Sequence, residues 1–323
     1  MTSPSDAVAL ADWERAPNIL DGAISSELSP SDCNVEFWLT SVAQGSLKGL
    51  VRGHRPDAAV PDCLRRPGPL RESLVAEFAF RSFSEEAATK ACALVTSAAR
   101  NVVELEFYST QTLDEARHAH VFRSHLLDLG IADADLATVI EATAGEDRDR
   151  VLEPLWGWGL PAFGNNFING VVIVTILLEG VLAPTTELSE RKWRPISPAT
   201  TDVERGACVD EIRHLAVGSW FVREHLIANP HEHDRVAALI AQGRAFWDSL
   251  PTAELLYRRE VLFQQGIEEH CDVIGDYEIS PGRRLIDTSA QERLLMATSW
   301  SREVQEARLA YMGLGDSDVA RSA

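Results

Sequence analysis

Asp114-Glu115-Ala116-Arg117-His118 and Asp210-Glu211-Ile212-Arg213-His214 are two nearly identical stretches of this chain, and their reading decides the fold. Each sets a Glu and a His three residues apart. On an α-helix that spacing is about 300° of rotation and roughly 4.5 Å of rise, so both side chains leave one face, one above the other. A carboxylate and an imidazole converging in this way form half of a transition-metal site, and two such halves imply a pair of metals. With 28 Glu and nine His in 323 residues, roughly one Glu-x-x-His pair is expected by chance. The chain contains these two and no others, and both carry Asp before the Glu and Arg before the His.

Working outward from the first motif, apolar periodicity predicts a helix from Leu70 to about Ala99. A second runs from Val102 to about Leu129, where Gly130 stops it. A tight turn near Arg100 makes the two an antiparallel hairpin. Glu115 lies about fifteen residues beyond that turn, so the residue level with it lies about fifteen before, at Glu85 or Glu86. Around the second motif, Asn166 to about Ser189 reads as a strongly apolar helix interrupted by Glu179. A lone carboxylate there would cost several kcal/mol unless a cation lies beside it. The fourth helix, Thr201 to about Ala228, carries the second motif and ends at Asn229-Pro230.

The flanks say less. Residues 1–69 read as an arm with short helices and no functional signal. Residues 131–165 read as a connection, with one short helix before Gly145 and a loop through Trp156-Gly157-Trp158-Gly159-Leu160-Pro161. Residues 229–323 read as helices broken at Pro251, Gly275 and Pro281-Gly282. Glu260, Glu268, Glu269 and His270 read as a charged surface face. Strand signals are weak throughout. The expectation is an all-α, single-domain chain (1–323) with an N-terminal arm (1–69), a four-helix core (70–228) and a C-terminal helical extension (229–323).

Composition bounds the partners. Hydrophobic residues make up 45%, with eight Trp and eleven Phe, enough for a sizeable core. A net charge of −19 argues against nucleic acid or an acidic membrane as partner. Cys33, Cys63, Cys92, Cys208 and Cys271 are odd in number and widely spaced, which fits reduced thiols in a cytoplasmic protein. The start of the chain lacks a signal-peptide pattern. The longest apolar stretch, Gly170 to Ala183, is short for a membrane span and contains Glu179.

Four carboxylates and two imidazoles from four helices neutralise two divalent ions, and such hard oxygen donors favour iron or manganese over copper or zinc. Asp114 and Asp210 suit acceptors for the free ring N–H of each liganding His. Arg117 and Arg213 either neutralise these Asp residues or project into solvent. His120, His125 and His225 lie off the ligand face and read as packed or surface residues.

These residues resemble the ferritin-like di-iron carboxylate oxidases and oxygenases over roughly residues 70–228, whose ligand constellation is the one known for such bundles. Glu85-Glu86-Ala87 with its distance to Glu104-Leu105, and Leu178-Glu179-Gly180 followed by the second motif, are similar to the aldehyde-deformylating oxygenases. That resemblance implies the ligand set Glu86, Glu115, His118, Glu179, Glu211 and His214, with Glu85 as the alternative on the first helix. The chain departs from three branches. Phe122 stands where tyrosyl-radical ribonucleotide reductase subunits have Tyr, Ala183 where multicomponent hydrocarbon hydroxylases have Thr, and Ala207 where arylamine N-oxygenases have an extra His.

The function implied is a dioxygen-activating di-iron enzyme that hydroxylates, N-oxygenates or forms an azoxy group on a small organic substrate in specialised biosynthesis. An external electron donor (a reductase or ferredoxin) is an expected partner, and a homodimer a compatible assembly. A ferroxidase or non-catalytic iron-binding protein, and an Mn/Fe or di-Mn oxidase, are the alternatives.

Overall fold

A computed structural model describes residues 8–42 and 50–315. Ten helices organise it: α1 (Ile19–Ser25), α2 (Pro69–Ser97), α3 (Val102–Asp128), α4 (Leu136–Asp147), α5 (Glu153–Phe163), α6 (Phe167–Trp193), α7 (Pro198–Ala228), α8 (His233–Asp248), α9 (Thr252–Glu269) and α10 (Ala290–Met312). The only strands among the described residues, β1 (Glu278–Ser280) and β2 (Arg283–Arg284), form a small antiparallel hairpin around Pro281-Gly282. The fold is therefore an all-α bundle.

Local chemistry sets the ends of the central helices. Pro69 opens α2 and Pro198 opens α7, where a missing N–H costs nothing and a fixed φ suits the first turn. The α7 helix thus begins three residues earlier than expected, capped by the Ser197 hydroxyl. Asn101 caps α3 by accepting the Glu104 N–H at 3.1 Å. The α2–α3 hairpin turns at residues 98–101, as its spacing predicts.

Two expectations for the connection fail. Residues 153–163 are helical, not a loop, and α4 continues through Gly145 to Asp147. Each glycine costs a helix only about 1 kcal/mol. Packing of Leu155, Trp158 and Phe163 against the core outweighs that cost. Gly164, in the left-handed region at φ 54°, stops α5.

Helix α6 is longer than its apolar run suggested. By length and composition it could cross a membrane, yet 78% of its most apolar window is buried inside the protein. From Val172 to Glu179 its hydrogen bonds run i→i+5, a wide turn that displaces the register of everything beyond it. This π segment ends at Glu179. Opposite it, Gly218 of α7 lets the two backbones close: a Cβ there would meet Thr175 Oγ1 at 2.0 Å.

Replacing Gly218 with Ala should therefore force α6 and α7 apart and lower stability by about 1–3 kcal/mol. Urea unfolding monitored by circular dichroism would read this, and an unchanged midpoint would show that the contact is not tight.

Candidate metal centre

The two motifs face each other across α3 and α7, with α2 and α6 closing the sides. Glu115 lies with Oε1 3.2 Å from His214 Nδ1 and Oε2 3.8 Å from His118 Nδ1. Glu211 repeats this in reverse, with Oε1 3.8 Å from His118 Nδ1 and Oε2 3.7 Å from His214 Nδ1. Each of these carboxylates therefore faces both imidazoles. Glu85 Oε2 stands 3.7 Å from His118 Nδ1, and Glu179 Oε1 stands 3.7 Å from His214 Nδ1. The ligand-type atoms form two linked groups, Glu85–Glu115–His118 and Glu115–Glu179–Glu211–His214.

Five of the six expected residues converge; Glu86 does not. Its side chain is 41% exposed and pairs with Arg123 on the outside of the hairpin, whereas the Glu85 side chain is 14% exposed and faces the cluster. The reason is rotation. The inner face of α2 passes through Phe78 and Cys92, both fully buried, and a heptad step from either lands on residue 85. Residue 86 is turned about 100° away.

The outer nitrogens of the imidazoles are held by crossed partners. His118 Nε2–H donates to Asp210 of the other motif at 3.2 Å, and His214 Nε2–H donates to Asp114 at 3.3 Å. Arg213 donates to Asp114 (2.5 Å) and to Asp210 (3.3 Å), while Arg117 pairs with Asp210 and donates to the Gly206 carbonyl. Both arginines thus neutralise the Asp pair rather than project into solvent. Trp38, in the segment read as carrying no signal, donates its indole N–H to Asp114 at 3.0 Å. Gln111, one turn before Glu115, donates to Glu179 Oε1 at 2.5 Å. Neither residue is marked by motif spacing; only a buried polar side chain one helical turn from a ligand could have singled out Gln111.

With each Nε2–H given to an aspartate, both Nδ1 lone pairs point into the cluster. His118 Nδ1 and His214 Nδ1 have no hydrogen-bond partner, nor do Glu115 Oε1, Glu179 Oε2 and Glu211 Oε2, all buried. Orphaned acceptors converging in one pocket need a cation between them. The donor set fits a pair of divalent metals. Among the described residues, His54, His125 and Asp128 form a separate group, in which His54 Nε2 lies 3.0 Å from Asp128.

Without a cation the centre must take up protons. Burial, with Glu115 close by, pushes Glu85 up to about 7 despite His118. Burial and the Glu211 charge drive Glu179 well above the usual carboxylate range, and burial and Glu115 raise Glu211. Burial would raise Glu115 too, but both histidines hold it below that range. Burial opposes charging of His118 and His214, yet their aspartate and glutamate partners raise both well above the ordinary value. Asp210, desolvated but beside Arg117 and Arg213, stays well below its usual range.

The four glutamates open onto a cleft of about 930 Å³, walled by α2, α6, α8, α9 and α10. A smaller chamber of about 80 Å³ adjoins it, lined by Ala91, Leu94, Trp158 and Phe163. Ser84, Ala88, Leu178 and Trp247 belong to both walls.

Fold and site together define a helical protein with buried carboxylate–histidine clusters able to bind metal, compatible with a ferritin-like arrangement. No protein-family model matches the chain.

Two outcomes follow from this geometry. Glu85→Gln should lower retained metal while Glu86→Gln leaves it at the wild-type level, measured by metal analysis after reconstitution; the opposite pattern would restore Glu86 to the centre. Metal uptake at pH 7 should release protons, because the raised groups hold them in the metal-free state. Affinity should accordingly rise with pH and weaken as pH falls through 7. Calorimetry in buffers of different ionisation enthalpy reads the proton count, and zero net release would contradict the charge assignment.

Proposed function

We propose that the protein is a dioxygen-activating di-iron oxidoreductase, similar to the ferritin-like carboxylate oxygenases, that oxidises a small organic molecule in specialised biosynthesis. The observation that carries this is the shared facing of Glu115 and Glu211 toward both imidazoles, which suits two metals held side by side. Glu85 with His118, and Glu179 with His214, would complete the two ends. The oxygen-rich donor set favours iron or manganese, and when bound, a redox-active pair of these supplies the electrons that reduce dioxygen.

The chain's own residues do the remaining work. Asp114 and Asp210 fix the tautomer and orientation of the imidazoles, and Arg213 and Arg117 pair with those aspartates. Gln111 aims Glu179. The cleft admits and orients a substrate beside the glutamates, and the apolar chamber excludes water from its inner end. An external reductase or ferredoxin is the expected electron source.

A ferroxidase needs a path for ions only. The cleft reaching the carboxylates, with an apolar chamber beside it, favours an organic substrate over iron storage. Manganese in one or both positions is compatible with the same donors, and metal analysis distinguishes it.

Anaerobic iron loading should give about two ions per chain, and exposure to oxygen with a reductant should give uptake that continues through repeated turnovers. His118→Ala and His214→Ala should each lose at least one ion and abolish that uptake. Oxygen consumption that stops when the bound iron is oxidised, with mineral growth, would establish storage instead. A wild-type chain that retains no iron or manganese would end the proposal.

A further inference from the structure

Arg259 of α9 lines the same cleft and is only 8% exposed. Its guanidinium lies over the Phe80 ring, 4.6 Å from the centroid. Neither Nε nor Nη2 has a hydrogen-bond partner. The nearest carboxylate is Asp147, whose Oδ2 is 3.9 Å from Nη2 and whose other oxygen is taken by Arg258. Burying a guanidinium with two unbonded nitrogens is costly, and the Phe80 face and the long contact to Asp147 offset only part of that cost.

The neighbouring charges do not settle it either. Glu77 is engaged by Arg81, Lys192 and the Trp193 indole, Glu260 by Lys192 and Arg293, and Glu204 by Arg81. Arg81 also donates to Thr186. With Arg258 on Asp147, five cations including Arg259 share four carboxylates. Burial also pushes Glu204 up to about 8, which removes a further negative charge near neutral pH. Burial lowers Arg259 to about 10, even with Glu77 and Asp147 nearby.

We infer that Arg259 is the anchor of a carboxylate-binding subsite, and that the cleft takes a small amphipathic molecule with one carboxylate and an apolar body. A planar guanidinium with unpartnered N–H groups at the edge of the cleft suits a carboxylate. The order of residues along α2 sets the pose. Phe80 under Arg259 lies about 7.5 Å of helix rise before Glu85, and Ala91 in the apolar chamber lies about 9 Å beyond it. A ligand anchored at Arg259 and extended along α2 toward the apolar chamber reaches Glu85 about six bonds from its carboxylate. Resting on the proposed function, this puts oxidation several bonds from the carboxylate.

The test uses octanoate as probe, with 1-octanol and octylamine as uncharged and cationic counterparts. Binding to the full-length, metal-free protein is read by tryptophan fluorescence and calorimetry, so that no metal can hold the carboxylate. Octanoate should bind more tightly than either counterpart. Arg259→Met should weaken octanoate by roughly 10- to 100-fold, the worth of a charge-assisted pair, and leave 1-octanol unchanged. Arg302→Gln, at an exposed position of the same cleft, should leave octanoate within about twofold.

Ligand-free Arg259→Met should also melt no lower than wild type, since it removes an unpaired buried cation. A lower melting temperature would make Arg259 a structural residue. Equal binding of octanoate and 1-octanol, or octanoate binding untouched by Arg259→Met, would overturn the subsite. If octanoate binds through Arg259 in a chain that takes up no iron or manganese, the oxidase reading falls while the subsite stands. If metals bind and oxygen is consumed but octanoate ignores Arg259, the reverse holds.

Discussion

Six ionisable side chains packed inside a helical bundle are the constraint on which the rest depends. Glu85, Glu115, Glu179 and Glu211 bring four carboxyl groups to one place, where continuum desolvation of even one anion costs several kcal/mol. Only cations or protons settle that account. The surrounding residues are arranged accordingly. Asp114 and Asp210 turn each imidazole so that a lone pair, not a proton, faces inward. Arg213 and Arg117 then bind the aspartates across the gap between α3 and α7. These crossed ion pairs couple the register of two helices to the geometry of the centre, because sliding α3 against α7 by one residue would break both histidine partners together.

The duplication of the motif suggests two equivalent halves, but the supporting helices make them unlike. Helix α2 presents Glu85 from a regular helix, whereas α6 presents Glu179 at the end of a π segment. A wide turn changes where a side chain points without changing the path of the helix axis, and such turns recur at functional sites. Glu179 is also fastened by Gln111, while Glu85 faces His118 and like-charged neighbours, with Arg81 one turn before it on the same helix. The His118 half therefore has the carboxylate with more freedom to move, and it is the half at which Phe80, Ser84 and Ala88 line the cleft.

Much of this was legible because helix periodicity and ligand spacing share one ruler. The positions of α2, α3, α6 and α7, and the convergence of Glu115, His118, Glu211 and His214, follow from steps of three, four and seven residues, while Glu179 stood out as a lone carboxylate in an apolar helix. The hairpin count brought the first-helix position down to Glu85 or Glu86. Resemblance then selected Glu86, although the buried stripe through Phe78 and Cys92 contains residue 85. Long-range partners left no such trace. Trp38 meets Asp114 across 76 residues of sequence, and no local pattern encodes that contact. Glu260 was read as surface charge beside Glu268 and Glu269, which are indeed exposed. It is instead fully buried between Lys192 and Arg293, because its solvation is replaced by cations from α6 and α10. The 153–163 helix was hidden for the opposite reason: its glycines signal a loop locally, while its aromatic side chains are paid back only by packing.

The C-terminal helices give the centre its surroundings. Four helices alone would leave the glutamates facing water along the α2–α6 side, where a high dielectric would weaken every interaction that holds them. Helices α8, α9 and α10 cover that side without sealing it, contributing Trp247, Leu255 and Ala297 to the wall of the cleft. The buried salt-bridge network at its floor, from Glu77 through Lys192 and Glu260 to Arg293, ties α2 and α6 to α9 and α10. Removing one member of such a network leaves an uncompensated charge, so the network enforces one arrangement more than it adds stability. That enforcement fixes the distance between α9 and the glutamates of α2 and α6. Any molecule reaching the centre is therefore measured first against a cleft whose width is set by ion pairs that take no part in holding metal.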